Sequence, residues 1–283
     1  MKTLFETFKK SIYNPEFYRT AADVPLGDTI RYYMKVVFGL ALVATTIFAF
    51  ILVPQGVRFM RDTAPSLVRE QYPVELTIRI EKGIVSTNVT EPYIIAGKNS
   101  TREVLKESGV ENLLVIDTTE DFNTKTFDEY KTLALFTKSQ IVTRNNSGRA
   151  TIQDLRGVTD ATIDQAMLLR WVEKIRSALV YVVPVGIFVT IIILFLGYVV
   201  YLVPLFLFAL IPFFLSKIRK IPLTYRGAYK MSIYAVVPGL ALKTLLNIIG
   251  FFFVPVYLSL LVFMLIIFIN MREAEQPTLF SND

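Results

Sequence analysis

Long segments without charge constrain this chain more than any other feature of its sequence. Residues 36–53 form an uncharged run of 18, residues 177–215 form an uncharged run of 39, and residues 231–271 contain a single charged side chain, that of Lys243. A helix needs about 20 consecutive apolar residues to cross the hydrocarbon core of a bilayer. The three segments therefore predict an integral membrane protein, in agreement with a hydrophobic content of 53%.

The two longer segments are each long enough for two crossings. As one straight helix, residues 177–215 would measure about 58 Å, close to twice the hydrocarbon thickness. We expect the break between two spans within Tyr198–Tyr201 or at Pro204, and the turn of the second segment between Gly250 and Pro255. Together with residues 36–53, these segments predict a membrane α-helical bundle of about five spans.

The residues that flank the spans differ in character. Residues 1–35 combine Phe and Tyr with cations, as a cytoplasmic amphipathic segment at the membrane surface does, and a flexible tail is the alternative. This segment is much longer than the n-region of a cleaved signal peptide, so residues 36–53 are predicted to be the first transmembrane helix. Residues 272–283 are predicted to be a polar C-terminal tail.

Residues 54–176 are predicted to be a soluble α+β domain rich in β-hairpins, inserted between the first and second spans. A β-strand is indicated by alternating apolar residues at Val74, Leu76, Ile78 and Ile80. Lys82-Gly83 then turns into a second β-branched run, and further strands are predicted in LLVID and TLALFTKSQIVTRN. After Gly157, helical spacing continues without a breaker into the transmembrane bundle, residues 177–271.

The charges around the spans give conflicting indications of topology. The loop SKIRKIPLTYRGAYK contains five basic residues and no acid, which places it in the cytoplasm by the positive-inside rule. The cations before the first span place the N-terminus inside and the insert outside, the arrangement that we favour. With five spans, however, the insert and the basic loop would share a side. Four spans, with half of residues 177–215 buried or re-entrant, would remove the conflict, and so would an inverted chain.

Two polar residues inside a predicted span are candidate site residues. Lys243 is the only charge well inside a span, and Asn247 lies one helical turn later, on the same face. An ionisable residue within the membrane is by default a candidate for function. The alternative is a lysine that extends its amine to the headgroups.

A calcium site is a second hypothesis. The segment DTTEDFNTKTFD resembles a calcium-binding loop, with carboxylates of Asp117, Asp121 and Asp128 at positions 1, 5 and 12 and with Thr119 and Asn123 at positions 3 and 7. Phe122 occupies the position of the required glycine, and the twelfth residue is Asp instead of Glu. The sequence therefore favours a solvated connection between a strand and a helix.

Glycosylation sequons occur at three positions of the predicted domain, Asn88, Asn99 and Asn145. A pattern this short arises often by chance in a region rich in Thr and Asn.

The absence of His and Cys excludes disulfides, thiolate nucleophiles, haem or zinc sites built on imidazole, and the usual general base near neutral pH. We therefore expect a protein that is not an enzyme and holds no cofactor. The net charge of +6 lies outside residues 54–176, which contain 17 basic and 17 acidic residues. We thus expect no nucleic-acid partner, and we expect anionic lipid headgroups to bind the cations of the basic loop, Lys217, Arg219 and Lys220.

Several stretches together resemble one bacterial family. The stretches are FETFKKSIYNPEFYR, IEKGIVS, LLVIDTT followed by LALFTKSQIV, and LTYRGAYKMSIYAVVP, and they are similar to the domain-of-unknown-function family 1189. Some members are labelled maltodextrin-utilisation proteins, and the helical part is distantly similar to Yip-type five-span proteins. The resemblance implies a plasma-membrane protein with an extracytoplasmic insert, and it implies no catalytic residues.

Three functions remain open from the sequence. The first is a non-enzymatic accessory protein whose external domain binds a ligand or protein partner. The second is a small transporter or lipid-handling protein that uses Lys243 and Asn247. The third, a membrane enzyme that relies on carboxylates and Lys, lacks a paired-acid motif.

Overall fold

The structure is a computed structural model that describes residues 4–98, 101–103, 105, 109–119, 122–145, 149–250 and 256–271. The chain divides into two compact units, the helical unit (Met1–Val53 and Val182–Asp283) and the insert (Pro54–Tyr181). Among the described residues, three helical stretches are long and apolar enough to cross a membrane, Leu26–Gln71, Gln165–Ile218 and Tyr225–Ile248, and Tyr257–Asn270 is a shorter apolar helix. The prediction of apolar helices on both sides of a β-containing region is therefore confirmed.

Two short helices precede the first long one. Helix α1 (Leu4–Ile12) and helix α2 (Pro15–Ala21) are separated by Asn14, whose side-chain oxygen accepts a hydrogen bond from the Phe17 N–H at 2.7 Å. An Asn N-cap followed by Pro at the first helical position favours a helix start. The amphipathic segment predicted from the sequence is thus helical, and α1 exposes the apolar side chains of Leu4, Phe5 and Ile12.

The first long helix extends from the helical unit into the insert. Helix α3 (Leu26–Arg58) is followed by a π-helical turn (Phe59–Thr63) and by helix α4 (Ala64–Gln71). The uncharged residues 36–53 lie within α3, as expected for a transmembrane helix. Pro54 and Pro65 lie within this stretch and do not end it, so the backbone is helical from Leu26 to Gln71.

Two sheets form the framework of the insert. The three-stranded sheet has the order β2-β1-β8 and is antiparallel, with β1 (Ile78–Glu81), β2 (Ile84–Thr87) and β8 (Ala161–Ile163). The five-stranded sheet has the order β3-β4-β5-β6-β7, with β3 (Tyr93–Ala96), β4 (Asn112–Ile116), β5 (Thr132–Phe136), β6 (Gln140–Arg144) and β7 (Ala150–Asp154). Helix α5 (Thr124–Glu129) connects β4 to β5, the parallel pair of this sheet.

The predicted first hairpin is present as β1 and β2. Its turn uses positive φ angles at Lys82 (51°) and Gly83 (79°), and a Cβ added to Gly83 would lie 2.4 Å from the Arg156 Cα. Glycine is therefore required at this position. The prediction that Val74 belongs to the buried face was wrong: Val74 is 76% exposed, because it lies in a turn in which the Leu76 N–H donates to the Pro73 carbonyl at 3.3 Å. Leu76 itself is buried, as predicted.

The five-stranded sheet is covered on both faces. Successive residues of a strand point to opposite faces, and the consecutive buried residues Val115 and Ile116 belong to two different clusters. Ile116 packs with residues of β1, β2 and β3, whereas Val115 packs with Phe127 of α5. The insert thus has three layers, the three-stranded sheet, the five-stranded sheet and α5.

The second long apolar stretch is one helical path with two interruptions. Helices α6 (Gln165–Val200), α7 (Leu202–Phe208) and α8 (Leu210–Ile218) are separated by Tyr201 and Ala209. Both separating residues keep right-handed helical angles, −60° and −21° for Tyr201 and −63° and −16° for Ala209. The predicted break at Tyr198–Tyr201 is therefore an interruption in the helix, with no turn of extended residues that would reverse the chain.

Two antiparallel helices complete the helical unit. Helix α9 (Tyr225–Ile248) begins after Thr224, whose hydroxyl accepts a hydrogen bond from the Gly227 N–H, and helix α10 (Val256–Asn270) follows. The predicted turn from Gly250 to Pro255 falls between them, and residues 251–255 lie outside the described residues. A Cβ added to Gly239 would lie 2.8 Å from the backbone oxygen of Ser259, so the two backbones approach closely at this point.

Three helix ends meet at one end of the helical unit. The Lys230 amine donates a hydrogen bond to the Val24 carbonyl at 2.8 Å, which places the start of α9 beside the start of α3. The Asn14 N–H donates to the Asn270 side-chain oxygen at 2.6 Å, which places the end of α10 beside α2. We call this the basic end, formed by residues 4–35, 216–230 and 266–271. Its first two segments contain ten Lys and Arg and four Asp and Glu.

Candidate functional site

The predicted site residue Lys243 faces a tyrosine inside the helical unit. Its amine donates a hydrogen bond to the Tyr201 hydroxyl at 3.3 Å and lies 5.7 Å from the centre of the Tyr201 ring. Tyr201 is the residue that interrupts the helix between α6 and α7. Lys243, the only charged residue of residues 231–271, therefore contacts the residue at which the helix is interrupted.

The direction of the Lys243 side chain can be derived from helix geometry. The Cα–Cβ bonds of a helix tilt toward its N-terminus, so the side chain leans along α9 toward Tyr225 and away from the nearer end at Ile248. The Leu202 carbonyl accepts a hydrogen bond from the Tyr229 hydroxyl at 3.2 Å. The Lys243 amine therefore points toward Tyr201, and the Tyr229 hydroxyl contacts the residue that follows Tyr201.

Hydroxyl groups form hydrogen bonds between the helices that adjoin Lys243. The Thr244 hydroxyl donates to the Leu240 carbonyl at 2.8 Å, so in its 2.5 Å contact with the Tyr198 hydroxyl it must act as the acceptor. The Tyr33 hydroxyl donates to the Tyr198 carbonyl at 2.6 Å. These bonds connect α3, α6 and α9.

Lys243 has no acidic partner in the apolar part of the chain. Residues 177–272 contain seven Lys and Arg and no Asp or Glu, and Lys243 forms no ion pair with any residue that the structure describes. A partly buried cation without a carboxylate favours an anionic ligand. Asn247 is half-buried one turn away, and the hydrogen bond of the amine is to Tyr201 and not to Asn247.

A second lysine, Lys230, is more deeply buried than Lys243 and was not a candidate from the sequence. Lys230 is 8% exposed, although the sequence assigned it to the basic loop. The Thr224 N-cap places the start of the helix at Tyr225, so Lys230 lies in the second turn of α9. Pro222 followed by Thr224 is the start signal that could have revealed this.

The three predicted headgroup ligands differ in their surroundings. Lys217 and Lys220 are exposed at the end of α8, and Lys217 lies 5.2 Å from the Phe213 ring. Arg219 is half-buried, stacks on Phe268 at 4.9 Å and donates to the Phe268 carbonyl at 3.3 Å. Arg219 thus stabilises the end of α10, where free carbonyls favour a cation.

The carboxylates of the candidate calcium loop are engaged separately. Asp117 accepts hydrogen bonds from Thr119 and, at 2.9 Å, from the Tyr130 hydroxyl. Burial alone would raise the pKa of Asp117, but these hydrogen bonds hold the pKa below its ordinary value. Asp128 pairs with Arg144 at 2.8 Å.

Two further described positions of the loop, Asn123 and Phe122, have contacts of their own. Asn123 is the N-cap of α5 and accepts a hydrogen bond from the Lys125 N–H, and Phe122 packs on Phe127. Asp121 lies outside the described residues, among which no group of acidic side chains could hold a metal ion.

One glycosylation candidate has a structural role in the insert. The Asn88 side chain accepts a hydrogen bond from the Thr77 N–H and donates one to the Glu75 carbonyl, each at 2.7 Å. Asn145 accepts a hydrogen bond from the Arg149 N–H at 2.9 Å, and Asn99 lies outside the described residues.

An apolar cavity of about 350 Å³, open to the surroundings like a groove, lies on the insert. Its walls come from α4, the first turn of α6, and strands β3 and β4 of the five-stranded sheet. A cavity of this volume falls at the lower end of the range of about 300–1,000 Å³ for small-molecule sites. The cavity is not visible in the sequence, because the wall residues are separated by up to about a hundred positions along the chain.

The fold and these sites define a class of protein in which apolar helices flank a folded β-containing insert. The chain belongs to the family described as a protein of unknown function, DUF1189, whose family model matches residues 5–272. The family resemblance found in the sequence is thereby confirmed. The comparisons with curated proteins and with solved structures found no match.

Proposed function

We propose that the chain is an integral membrane protein with four crossings, formed by α3, the α6–α8 path, α9 and α10. The meeting of three helix ends at the basic end supports this count. Helix α3 starts at the basic end and crosses away from it, and α9 also starts at the basic end. The chain between α3 and α9 must therefore cross back an odd number of times, and the α6–α8 path provides one such crossing. The helical angles at Tyr201 and Ala209 fit a single interrupted crossing instead of two.

Four crossings remove the topological conflict in the sequence. The N-terminal segment and the basic loop then share one side of the membrane, and the insert lies on the other. Ten basic against four acidic residues at the basic end favour the cytoplasm by the positive-inside rule. The insert is accordingly extracytoplasmic, and the exposed cations Lys217 and Lys220 face anionic headgroups of the inner leaflet of the plasma membrane.

The function that the geometry supports best is that of a non-enzymatic accessory protein that binds a ligand through its extracytoplasmic insert. The observation that carries this proposal is the apolar cavity in the insert. The balanced charge of residues 54–176 and the absence of His and Cys agree with binding in preference to catalysis.

Site-specific crosslinking in cells tests the binding function. A photoreactive amino acid at Leu67, which lines the cavity, is expected to give a reproducible adduct with a small molecule or a protein partner. The same amino acid at Ile94 is the control, because Ile94 points away from the face of β3 that carries Ile95. The binding function is contradicted if Leu67 gives no adduct, or the same adduct as Ile94.

The contact between Lys243 and Tyr201 supports a second candidate function, that of a lipid-handling or small transport protein. In this candidate, the amine binds an anionic headgroup or substrate within the bundle, next to the interruption of α6 and α7. Interrupted helices form binding sites in several transporters because they expose backbone groups.

Lys243→Leu tests this second candidate. We expect the purified variant to retain at least tenfold less phosphatidylglycerol in native mass spectrometry, a ratio that corresponds to about 1.4 kcal/mol. Lys243→Arg keeps the charge and is expected to retain the lipid. Unchanged retention in Lys243→Leu, at normal expression, would remove the support for this candidate.

A further inference from the structure

The cavity of the insert is lined almost entirely by aliphatic side chains. Its walls include Leu67 and Val68 of α4, Ile95 of β3, Leu113 and Leu114 of β4, and Leu168 of α6. No charged side chain takes part in the lining that the structure describes. Leu67, Val68, Leu113, Leu114 and Leu168 are half-buried, so their apolar surface is accessible to a ligand.

The three polar residues of the lining already have partners. The Tyr72 hydroxyl donates to the Ile163 carbonyl at 2.8 Å. The Gln71 side chain accepts from the Lys98 N–H at 3.0 Å and donates to the Lys98 carbonyl at 3.2 Å and to the Thr101 hydroxyl at 3.3 Å. A ligand bound in the cavity would therefore form few hydrogen bonds with the protein. A polar ligand would lose its hydrogen bonds with water and gain none in exchange.

We propose that this cavity binds one alkyl chain of a membrane lipid. An alkyl chain has no hydrogen-bonding groups to satisfy, and it matches branched aliphatic walls that contain one aromatic residue. This inference rests on the proposed binding function of the insert and specifies the chemical class of its ligand.

The helices that form the cavity indicate the source of the chain. Leu67 and Val68 belong to the helical stretch Leu26–Gln71, and Leu168 belongs to the stretch Gln165–Ile218, two of the three candidate membrane spans. Leu168 precedes the uncharged segment that begins at Ser177 by nine residues, about 14 Å of helix. The bilayer is thus the nearest reservoir of alkyl chains along the same helix.

Photolabelling of the full-length protein in nanodiscs tests the proposal. The nanodiscs contain phosphatidylethanolamine, phosphatidylglycerol and a trace of phospholipid with a diazirine on its acyl chain. We expect label on peptides of the insert that contain Leu67 or Leu168, besides label on α6 residues 182–200, whose exposed apolar side chains provide an internal standard.

Val68→Trp fills the cavity and is expected to lower the insert label at least tenfold relative to the α6 label. Ser66→Trp is the matched control, because Ser66 is exposed on the same helix and does not line the cavity; its label should match the wild type. Thermal unfolding of both variants shows whether the fold is retained.

The two proposals fail in different ways. Absence of insert label in the wild type, or equal label in Val68→Trp, would overturn the alkyl ligand. An adduct at Leu67 with a protein or a polar compound would overturn it as well and would leave the binding function intact. The binding function itself fails only if the crosslinking at Leu67 yields no adduct, or the same adduct as at Ile94.

Discussion

Gly239→Leu is expected to destabilise the helical unit strongly, by separating α9 from α10. A Cβ at this position would lie 2.8 Å from the Ser259 backbone oxygen and 3.2 Å from the Ser259 Cα. Because both atoms belong to the backbone of α10, the helix must move as a whole to admit a side chain. Overpacking a tight interface costs about 1–3 kcal/mol, and a rigid backbone contact places this case at the upper end.

Unfolding of the purified protein in detergent measures this cost. Gly197→Leu is the matched control, since Gly197 is an exposed position of α6 where a Cβ meets no described atom within 4 Å. We expect a large fall in the unfolding temperature for Gly239→Leu and almost none for Gly197→Leu. Equal melting of the two variants would contradict the close packing of α9 against α10.

Asn270→Leu is expected to release the N-terminal helices from the basic end. The Asn270 side chain is 3% exposed; it accepts a hydrogen bond from the Asn14 N–H at 2.6 Å and donates to the carbonyls of Ile12 and Ile266 at 3.1 and 2.9 Å. Leucine leaves the Asn14 N–H and the Ile12 carbonyl without this partner. An unsatisfied buried group costs about 1–3 kcal/mol, so we expect a loss of about 2 kcal/mol or more.

Limited proteolysis reports this release directly. Trypsin cleavage in nanodiscs at the three basic residues of the N-terminal helices, Lys9, Lys10 and Arg19, should accelerate about thirtyfold if local opening becomes about 2 kcal/mol easier. Asn247→Leu makes the same substitution in α9 and should leave these cleavage rates unchanged. Similar rates in both variants would show that Asn270 does not hold the N-terminal segment.

Local sequence patterns predicted many strands and turns of the insert. They did not predict which strands pair when those strands are far apart in the sequence. The hairpin at Lys82-Gly83 follows from residues that are adjacent in sequence, because turn chemistry is local. The alternation of apolar residues extended the buried face to Val74, which is exposed because it lies in the turn between Pro73 and Leu76. The parallel pairing of β4 with β5 depends on a crossover that no local pattern specifies.

The helical unit was predicted by its apolar composition, and its functional side chains were predicted only in part. Lys243 is visible in the sequence as an isolated charge, but its partner Tyr201 lies 42 positions away. Hydropathy cannot distinguish one interrupted crossing from two crossings, because Tyr201 and Ala209 are apolar in either case. Lys230 was assigned to a loop because its burial depends on contacts with the N-terminal segment.

In the topology that we propose, the basic loop and the insert lie on opposite sides of the membrane. The chain contains no cysteine, so a single introduced cysteine is a unique label site. Thr124→Cys in the insert and Pro222→Cys in the basic loop are both exposed and leave every charge in place. We predict that a membrane-impermeant maleimide labels Thr124→Cys in intact cells and labels Pro222→Cys only after permeabilisation. Labelling of both variants in intact cells would contradict the four-crossing topology.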